Sequence, residues 1–189
     1  MRNCRRFLRS LRSGEMTKKM KKLFLALVFI SALPFFGNAQ KINWMTMQEA
    51  VELNKTTPKK IFIDVYTGWC GWCKKMDQTT FTNQEVVDYI NANYYAVKLD
   101  AEMSDTIVFR GYTYVNQGGM NGRKGTHQFA AALLQGKMSY PSYVFMNEDL
   151  QLLTVAPGYR GASEFLPLLK YFGSDAYLNE KYNDFLNKQ

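Results

Sequence analysis

Two cysteines separated by two residues are the groups of this chain best suited to chemistry. Cys70 and Cys73 follow a run of β-branched and aromatic residues that breaks at Thr67-Gly68, so the sequence predicts a strand, a turn, and a helix that begins at the pair. Unpaired backbone N–H groups and the helix dipole stabilise a thiolate there, and the thiolate is the form that attacks disulfides. We expect Cys70 to be the nucleophile and Cys73 to resolve the mixed disulfide.

A pair of this spacing can also supply half of a structural zinc site. Such a site needs two further ligands, and His127 is the only histidine of the chain. We therefore favour redox chemistry, predict no metal, and interpret His127 as a helix-start residue and not as a catalyst. The prediction includes no dissociable cofactor, because a dithiol itself stores two electrons.

The formal net charge of +8 on this 189-residue chain comes from its first segment. Residues 1–39 contain nine lysines and arginines and one glutamate, whereas the remainder contains fifteen basic and fifteen acidic residues. Because the remainder is neutral, we do not expect nucleic acid or an anionic membrane surface as a partner.

The same segment has the features of an export signal. Four lysines within residues 18–22 precede an apolar run over 23–36, and small residues over 37–39 offer a cleavage site before Gln40. We predict a cleaved signal peptide over 1–39, export to the bacterial periplasm, and no stable membrane insertion afterwards. An uncleaved signal that anchors the protein in the membrane is the alternative.

Residues 40–189 have the length of one domain with a single core. Cys70 and Cys73 are the only cysteines in this part, so the one intrachain bridge that it can form joins the pair itself. A scaffold stapled by several disulfides is thereby excluded for the exported part.

Apolar periodicity and capping residues predict the elements that position the pair. In order, these are a helix over about 46–55, a strand over 60–66, the cysteine helix to about 79, a helix over 84–92, a strand over 94–100, a helix over about 126–134, antiparallel strands over 142–146 and 150–156, a helix over 162–172 and a further helix over 175–186. The strand, helix, strand order predicts parallel pairing of the first two strands. The glycine-punctuated residues 102–126 are predicted to be irregular, with a short hairpin.

The stretch Asp64-Val65-Tyr66-Thr67-Gly68-Trp69-Cys70-Gly71-Trp72-Cys73-Lys74 resembles the signature of the thioredoxin superfamily, in particular that of exported bacterial thioredoxin-like proteins. The order of elements over about 44–172 is similar as well. The resemblance implies an α/β thioredoxin fold with a central mixed sheet flanked by helices. It also implies a thiol–disulfide oxidoreductase that reduces or isomerises disulfides of protein substrates and is recycled by a thiol–disulfide partner.

Two charged residues acquire roles through this resemblance. Asp64 corresponds to a buried carboxylate behind the second cysteine, which implies a proton acceptor for Cys73 whose pKa burial would raise. Lys98 corresponds to the lysine that pairs with that acid. Without the resemblance, Asp64 would be interpreted as a strand-edge carboxylate and Lys98 as an exposed strand residue.

Four residues are predicted to contact the substrate. The resemblance implies that Pro141 is a cis-proline that faces the disulfide, and that Tyr140 and Pro141 present backbone groups to an extended substrate. Trp69 and Trp72 flank the cysteines, a position that favours partial exposure and substrate contact, although both can also be core aromatics.

The chain departs from the family pattern in two places. An insertion of about two dozen residues, over about 102–126, precedes the cis-proline strand, and either a covering loop or a binding site is compatible with it. Gly71-Trp72 replaces the Gly-Pro of thioredoxins, which leaves the direction of electron flow open. A thioredoxin-fold binding module or chaperone-like adaptor without redox turnover is the alternative function.

Overall fold

The computed structural model describes residues 40–118 and 125–188. Its strands are β1 (Trp44–Met45), β2 (Lys60–Tyr66), β3 (Tyr94–Asp100), β4 (Ile107–Phe109), β5 (Tyr112–Tyr114), β6 (Ser142–Met146) and β7 (Leu152–Pro157). Its α-helices are α1 (Met47–Thr56), α2 (Gly71–Gln78), α3 (Gln84–Asn93), α4 (Gln128–Leu133), α5 (Ala162–Gly173) and α6 (Tyr182–Leu186).

Five of the strands form one mixed sheet in the order β1-β3-β2-β6-β7. Strand β3 is parallel to both β1 and β2, whereas β6 is antiparallel to both β2 and β7. The parallel pairing of β2 and β3 and the antiparallel pairing of β6 and β7 were predicted from the sequence and are confirmed. Strand β2 lies in the middle of the sheet, and all of its residues from Lys60 to Val65 are buried.

Side chains that alternate along β2 enter two separate cores, one on each face of the sheet. Ile61, Ile63 and Val65 pack with residues of α1, α4 and the β4–β5 hairpin. Phe62 packs on the opposite face, with residues of α2, α3 and α5. Asp64 is two residues after Phe62 and therefore points towards the face that α2 covers.

Capping side chains determine where two of the helices begin. Thr46 and Glu49 form a capping box at the start of α1, in which Glu49 N donates to Thr46 Oγ1 at 3.2 Å and Thr46 N donates to Glu49 Oε2 at 2.7 Å. Asn83 Oδ1 accepts a hydrogen bond from Val86 N at 3.2 Å at the start of α3. Both starts were predicted from the sequence and are confirmed.

The predicted helix over 175–186 is wrong as a single element. A 3₁₀ turn over Ala176–Leu178 and the short helix α6 occupy this part instead. Asp175 has a left-handed backbone with φ of 61°, and Lys181 is extended, so a continuous helix is interrupted at both places. Strand β1 was not predicted, because two residues are too few for a periodic pattern.

The irregular segment 102–126 contains the short hairpin that was predicted. Strands β4 and β5 pair antiparallel, and Arg110 and Gly111 turn the chain between them with φ of 52° and 82°. Residues 119–124 of the segment lie outside the described residues, as does the predicted signal peptide over 1–39. Within the described residues, no helix has both the length and the apolar character that a membrane span needs.

Candidate active site

The cysteine pair lies at the N-terminus of α2, directly after the turn that follows β2. Cys70 is the N-cap residue, and its Sγ accepts a hydrogen bond from Cys73 N at 3.0 Å. The two residues form a disulfide with their Cα atoms 5.3 Å apart, and both are buried. Cys70 N donates to the carbonyl of Thr67 at 3.1 Å, which closes the turn. The predicted start of a helix at the pair is confirmed.

Asp64 is a buried carboxylate on the side of the sheet that α2 covers. Its Oδ2 accepts a hydrogen bond from Lys98 Nζ at 2.7 Å, and its Oδ1 has no hydrogen-bond partner among the described residues. Burial raises the pKa of Asp64 from 3.8 to about 6, because it outweighs the lowering effect of the Lys98 ammonium group. A carboxylate with this pKa can take up and release a proton near neutral pH.

Lys98 is bound on both sides by acids. Besides Asp64, its Nζ donates to Asp77 Oδ1, which α2 contributes from a position four residues after Cys73. Burial lowers the pKa of Lys98, but the two carboxylates outweigh that effect and raise it above its ordinary value. Asp77 was not predicted as a residue of the site. The feature of the sequence that could have indicated Asp77 is its position four residues after Cys73, which places both side chains on one face of the helix.

Tyr140 and Pro141 lie beside the turn that bears the cysteines. The peptide bond between them is cis, as the resemblance implied. Ser142, the next residue, is registered opposite Val65 near the end of β2, and this register brings the proline to the same end of the sheet as the cysteine turn. The ring of Tyr140 contacts the ring of Trp69 edge to face, with centroids 5.9 Å apart.

The two tryptophans beside the cysteines are exposed. Trp69 is 67% exposed, and its Nε1 donates a hydrogen bond to Glu102 Oε1 at 2.9 Å. Trp72 is 57% exposed, which rules out its interpretation as a core residue. The Trp72 ring lies 5.3 Å from that of Tyr159, and Lys75 Nζ lies 5.0 and 5.1 Å from the two ring centroids. Tyr159 and Lys75 were not predicted.

His127 has a structural position at the start of α4. It is fully buried as the N-cap residue of α4, where its Nδ1 accepts a hydrogen bond from Phe129 N at 3.1 Å. Its Nε2 lies 2.9 Å from the carbonyl oxygen of Asp105. The interpretation of His127 as a helix-start residue is thus confirmed. In residues 40–118 and 125–188, no three His, Cys, Asp or Glu residues are grouped so that they could hold a metal ion.

Comparison with known proteins decides the family. A family model described as "Thioredox_DsbH: Protein of unknown function, DUF255" matches residues 35–164. The chain belongs to this family. The match includes the cysteine turn, Asp64, Lys98 and the cis-proline, and so covers the whole candidate site. This match and the fold together place the chain in the thioredoxin superfamily.

The sequence relatives are distant. An uncharacterized protein of Archaeoglobus fulgidus is 29% identical over 84 residues, which are 44% of this chain and 66% of that protein. The other curated relatives align over only 7–8% of their own length. The chain thus spans less than two thirds of each curated relative that it matches.

Solved structures share the fold at low sequence identity. A DsbH oxidoreductase is 18% identical with a TM-score of 0.52, covering 72% of this chain and 87% of that chain. A thioredoxin-fold protein from Helicobacter pylori is 21% identical with a TM-score of 0.52, covering 69% and 79%. These similarities confirm the predicted thioredoxin fold.

Proposed function

We propose that this protein is a thiol–disulfide oxidoreductase that reduces or isomerises disulfides of exported proteins. The observation that carries the proposal is the Cys70–Cys73 bridge at the first turn of α2, where the helix N-terminus favours a thiolate. The thioredoxin fold shared with a DsbH oxidoreductase supports this class of protein.

The reaction starts from the reduced pair and proceeds in two exchanges. The Cys70 thiolate attacks one sulfur of the substrate disulfide, which forms a mixed disulfide and releases the other substrate sulfur as a thiolate. The Cys73 thiolate then attacks Cys70 Sγ, which forms the Cys70–Cys73 bond and releases the second substrate sulfur. The protein pair loses two electrons and two protons, and the substrate gains them.

Asp64 serves the second exchange in this proposal. Cys73 must lose its proton before it can attack, and Asp64 is the buried carboxylate that takes this proton. Two observations support the role: its Oδ1 forms no hydrogen bond within the described residues, and burial raises its pKa to about 6. Lys98 supports Asp64 by holding its other oxygen.

The substrate docks beside the disulfide, on the segment before β6 and on residues around the N-terminus of α2. Tyr140 and Pro141 offer backbone groups, and Trp69 and Trp72, each of which directly precedes a cysteine, offer exposed aromatic rings. Each turnover leaves the pair oxidised, so a second thiol–disulfide protein must return two electrons to it. Disulfides of protein substrates and this recycling dithiol are the two partners that we propose.

Insulin reduction in the presence of dithiothreitol tests the activity. The full-length chain should accelerate the precipitation of insulin B chains, and Cys70→Ser should abolish the acceleration. Cys4→Ser is the matched control, because it removes the third cysteine of the chain and should leave the rate unchanged. Equal activity of wild type and Cys70→Ser would instead favour a binding module without redox turnover.

We also propose that the protein is exported, with residues 1–39 removed as a signal peptide. The basic, apolar and small-residue order of the segment supports this. N-terminal sequencing of the protein from its native host should begin at Gln40. Retention of residues 23–36 would instead indicate a membrane anchor.

A further inference from the structure

Lys98 connects a buried carboxylate to a solvent-facing one. The side chains of Asp64, Lys98 and Asp77 are 2%, 20% and 43% exposed, so the three charges form a line from the interior to the surface. Because Lys98 Nζ donates to both acids, its single positive charge is divided between them. The active-site carboxylate therefore does not receive the full attraction of its lysine.

The outer end of this line belongs to the cysteine helix. Cys73 and Asp77 lie four residues apart on α2, which places them on one face, one turn from each other. Asp77 contacts Lys98, which β3 contributes, and Lys98 in turn contacts Asp64 of β2. The helix that bears the resolving cysteine thus also contributes the acid that competes for the lysine.

Aromatic rings fix the position of the lysine independently of either acid. Lys98 Nζ lies 4.8 Å from the ring centroid of Trp44, 5.1 Å from that of Tyr66 and 5.2 Å from that of Phe81. Each ring attracts the ammonium group through its electron-rich face. Lys98 should therefore keep its place when the charge of Asp77 is removed.

A cavity of about 520 Å³ meets this group from outside. Asp77, Lys98, Trp44 and Phe81 line it, but Asp64 does not. Solvent thus reaches the outer acid and the lysine, while Asp64 stays buried. This difference allows Asp77 to be substituted without opening the site around Asp64.

We propose that Asp77 is a positioning residue for the exchange reaction: it binds the outer side of Lys98, and thereby leaves Asp64 with enough proton affinity to accept the Cys73 proton. The inference rests on the proposed function, since it assigns a purpose to the proton affinity of Asp64. The competition between the two acids for one lysine is measurable without any turnover.

Other titratable groups face this site from the surrounding elements. They are Tyr66 of β2, Asp100 at the end of β3, Tyr143 of β6, Lys41 beside the cavity, and Tyr159 and Arg160 before α5. None of these has a hydrogen bond to Lys98 or to Asp64 within the described residues. Asp77 is therefore the group whose charge acts on Asp64 through a direct contact with Lys98.

The test is the titration of the Asp64 carboxyl carbon by NMR in the oxidised full-length chain. Asp77→Asn keeps an oxygen that can accept from Lys98 but removes the competing charge. The midpoint of the Asp64 titration should fall by about 0.5–1 pH unit, because Lys98 then interacts with one carboxylate only. Asp77→Glu, which restores the charge, should return the midpoint towards that of wild type.

Asp88→Asn is the matched control, because it removes the same charge from an exposed site on α3, where Asp88 Oδ1 accepts from Gln84 Nε2 at 2.6 Å. It should leave the Asp64 midpoint unchanged. A midpoint that stays or rises in Asp77→Asn, or that falls equally in Asp88→Asn, overturns the proposal. Because oxidised protein is titrated, the result is independent of whether the Cys70→Ser comparison supports redox turnover.

Discussion

Asp64 and Lys98 are registered directly opposite each other across the parallel pair of β2 and β3, and Lys98 Nζ donates to Asp64 Oδ2 at 2.7 Å. The pair does not keep the acid fully ionised, since burial raises the pKa of Asp64 to about 6 in spite of the lysine. The native structure thus contains a carboxylate whose ionised form is disfavoured. We expect both the stability and the activity of the protein to depend on the protonation state of this group.

Asp64→Asn should stabilise the oxidised protein above pH 6. In the wild type, the folded state keeps the Asp64 proton up to about pH 6, whereas the unfolded chain loses it near its ordinary pKa of 3.8. The free energy of unfolding therefore falls as the pH rises between these values, by about 3 kcal/mol in all. The Asp64→Asn variant has no carboxyl group at this position, so its free energy of unfolding does not fall in this way. We expect the variant to be about 1–3 kcal/mol more stable than wild type at pH 8, a range that allows for the loss of the ion pair with Lys98.

Urea denaturation of the two proteins at pH 4 and pH 8 measures this difference. Asp88→Asn, an exposed substitution of the same kind, should shift the free energy of unfolding by no more than about 0.5 kcal/mol. If Asp64→Asn is less stable than wild type at pH 8, the ion pair with Lys98 stabilises the protein by more than the burial of the ionised Asp64 destabilises it.

The same substitution should slow catalysis. Only the ionised carboxylate can take the Cys73 proton, so the wild-type rate should rise as the pH increases through about 6. Asp64→Asn should lose this inflection and reduce insulin about tenfold or more slowly at pH 7. Rates measured between pH 5 and pH 8 test both parts, and an unchanged inflection in the variant would remove Asp64 from the mechanism.

Local sequence patterns were sufficient for the elements that carry the site. Strands 60–66 and 94–100 were predicted with the bounds that β2 and β3 have, because both are apolar runs bounded by turn or capping residues. The roles of Asp64 and Lys98 depended on the family resemblance, because period and burial alone do not distinguish a paired interior acid from a strand-edge one.

Contacts between distant elements that neither a local pattern nor the family resemblance indicated were not predicted. Asp77 was visible only as one acid on a helix, and its lysine lies 21 residues later on another element. Likewise, Tyr159 lies in the loop between β7 and α5, and nothing local indicates that its ring meets Trp72. Such pairs follow from how the helices pack on the sheet, which a single sequence does not specify residue by residue.

Cys73→Ser should trap the protein on its substrate. Cys70 still forms the mixed disulfide, but no second thiol remains one turn away to release it. Non-reducing electrophoresis and mass spectrometry of the variant incubated with oxidised insulin should detect a covalent adduct on Cys70, and Cys70→Ser should give none. Turnover by Cys73→Ser at the wild-type rate would exclude a resolving role for this residue.

Trp72→Ala should weaken substrate binding with little effect on stability. The ring is 57% exposed and packs mainly on Tyr159 and Lys75, so its removal leaves no core cavity. We expect KM for a disulfide-containing peptide to rise about 3–10-fold, with a change in the free energy of unfolding below about 1 kcal/mol. Leu178→Ala, at a similarly exposed apolar residue after α5, is the control and should leave KM unchanged. An unaltered KM in Trp72→Ala would separate this ring from the docking surface.

Lys60→Met should lower stability without affecting activity. Lys60 is buried at the first residue of β2, and its Nζ donates to Glu148 Oε1 at 2.7 Å and to Asp175 Oδ2 at 3.0 Å. Both acids are partly exposed and can be rehydrated, so we expect a loss of about 1–3 kcal/mol in the free energy of unfolding. Lys60 lies about 20 Å from the cysteine end of the strand, and insulin reduction should proceed at the wild-type rate.

Lys55→Met is the control. It removes an exposed ion pair with Glu52 and should change the free energy of unfolding by less than about 0.5 kcal/mol. Equal losses in the two variants would mean that the Lys60 pairs contribute no more than a surface contact does.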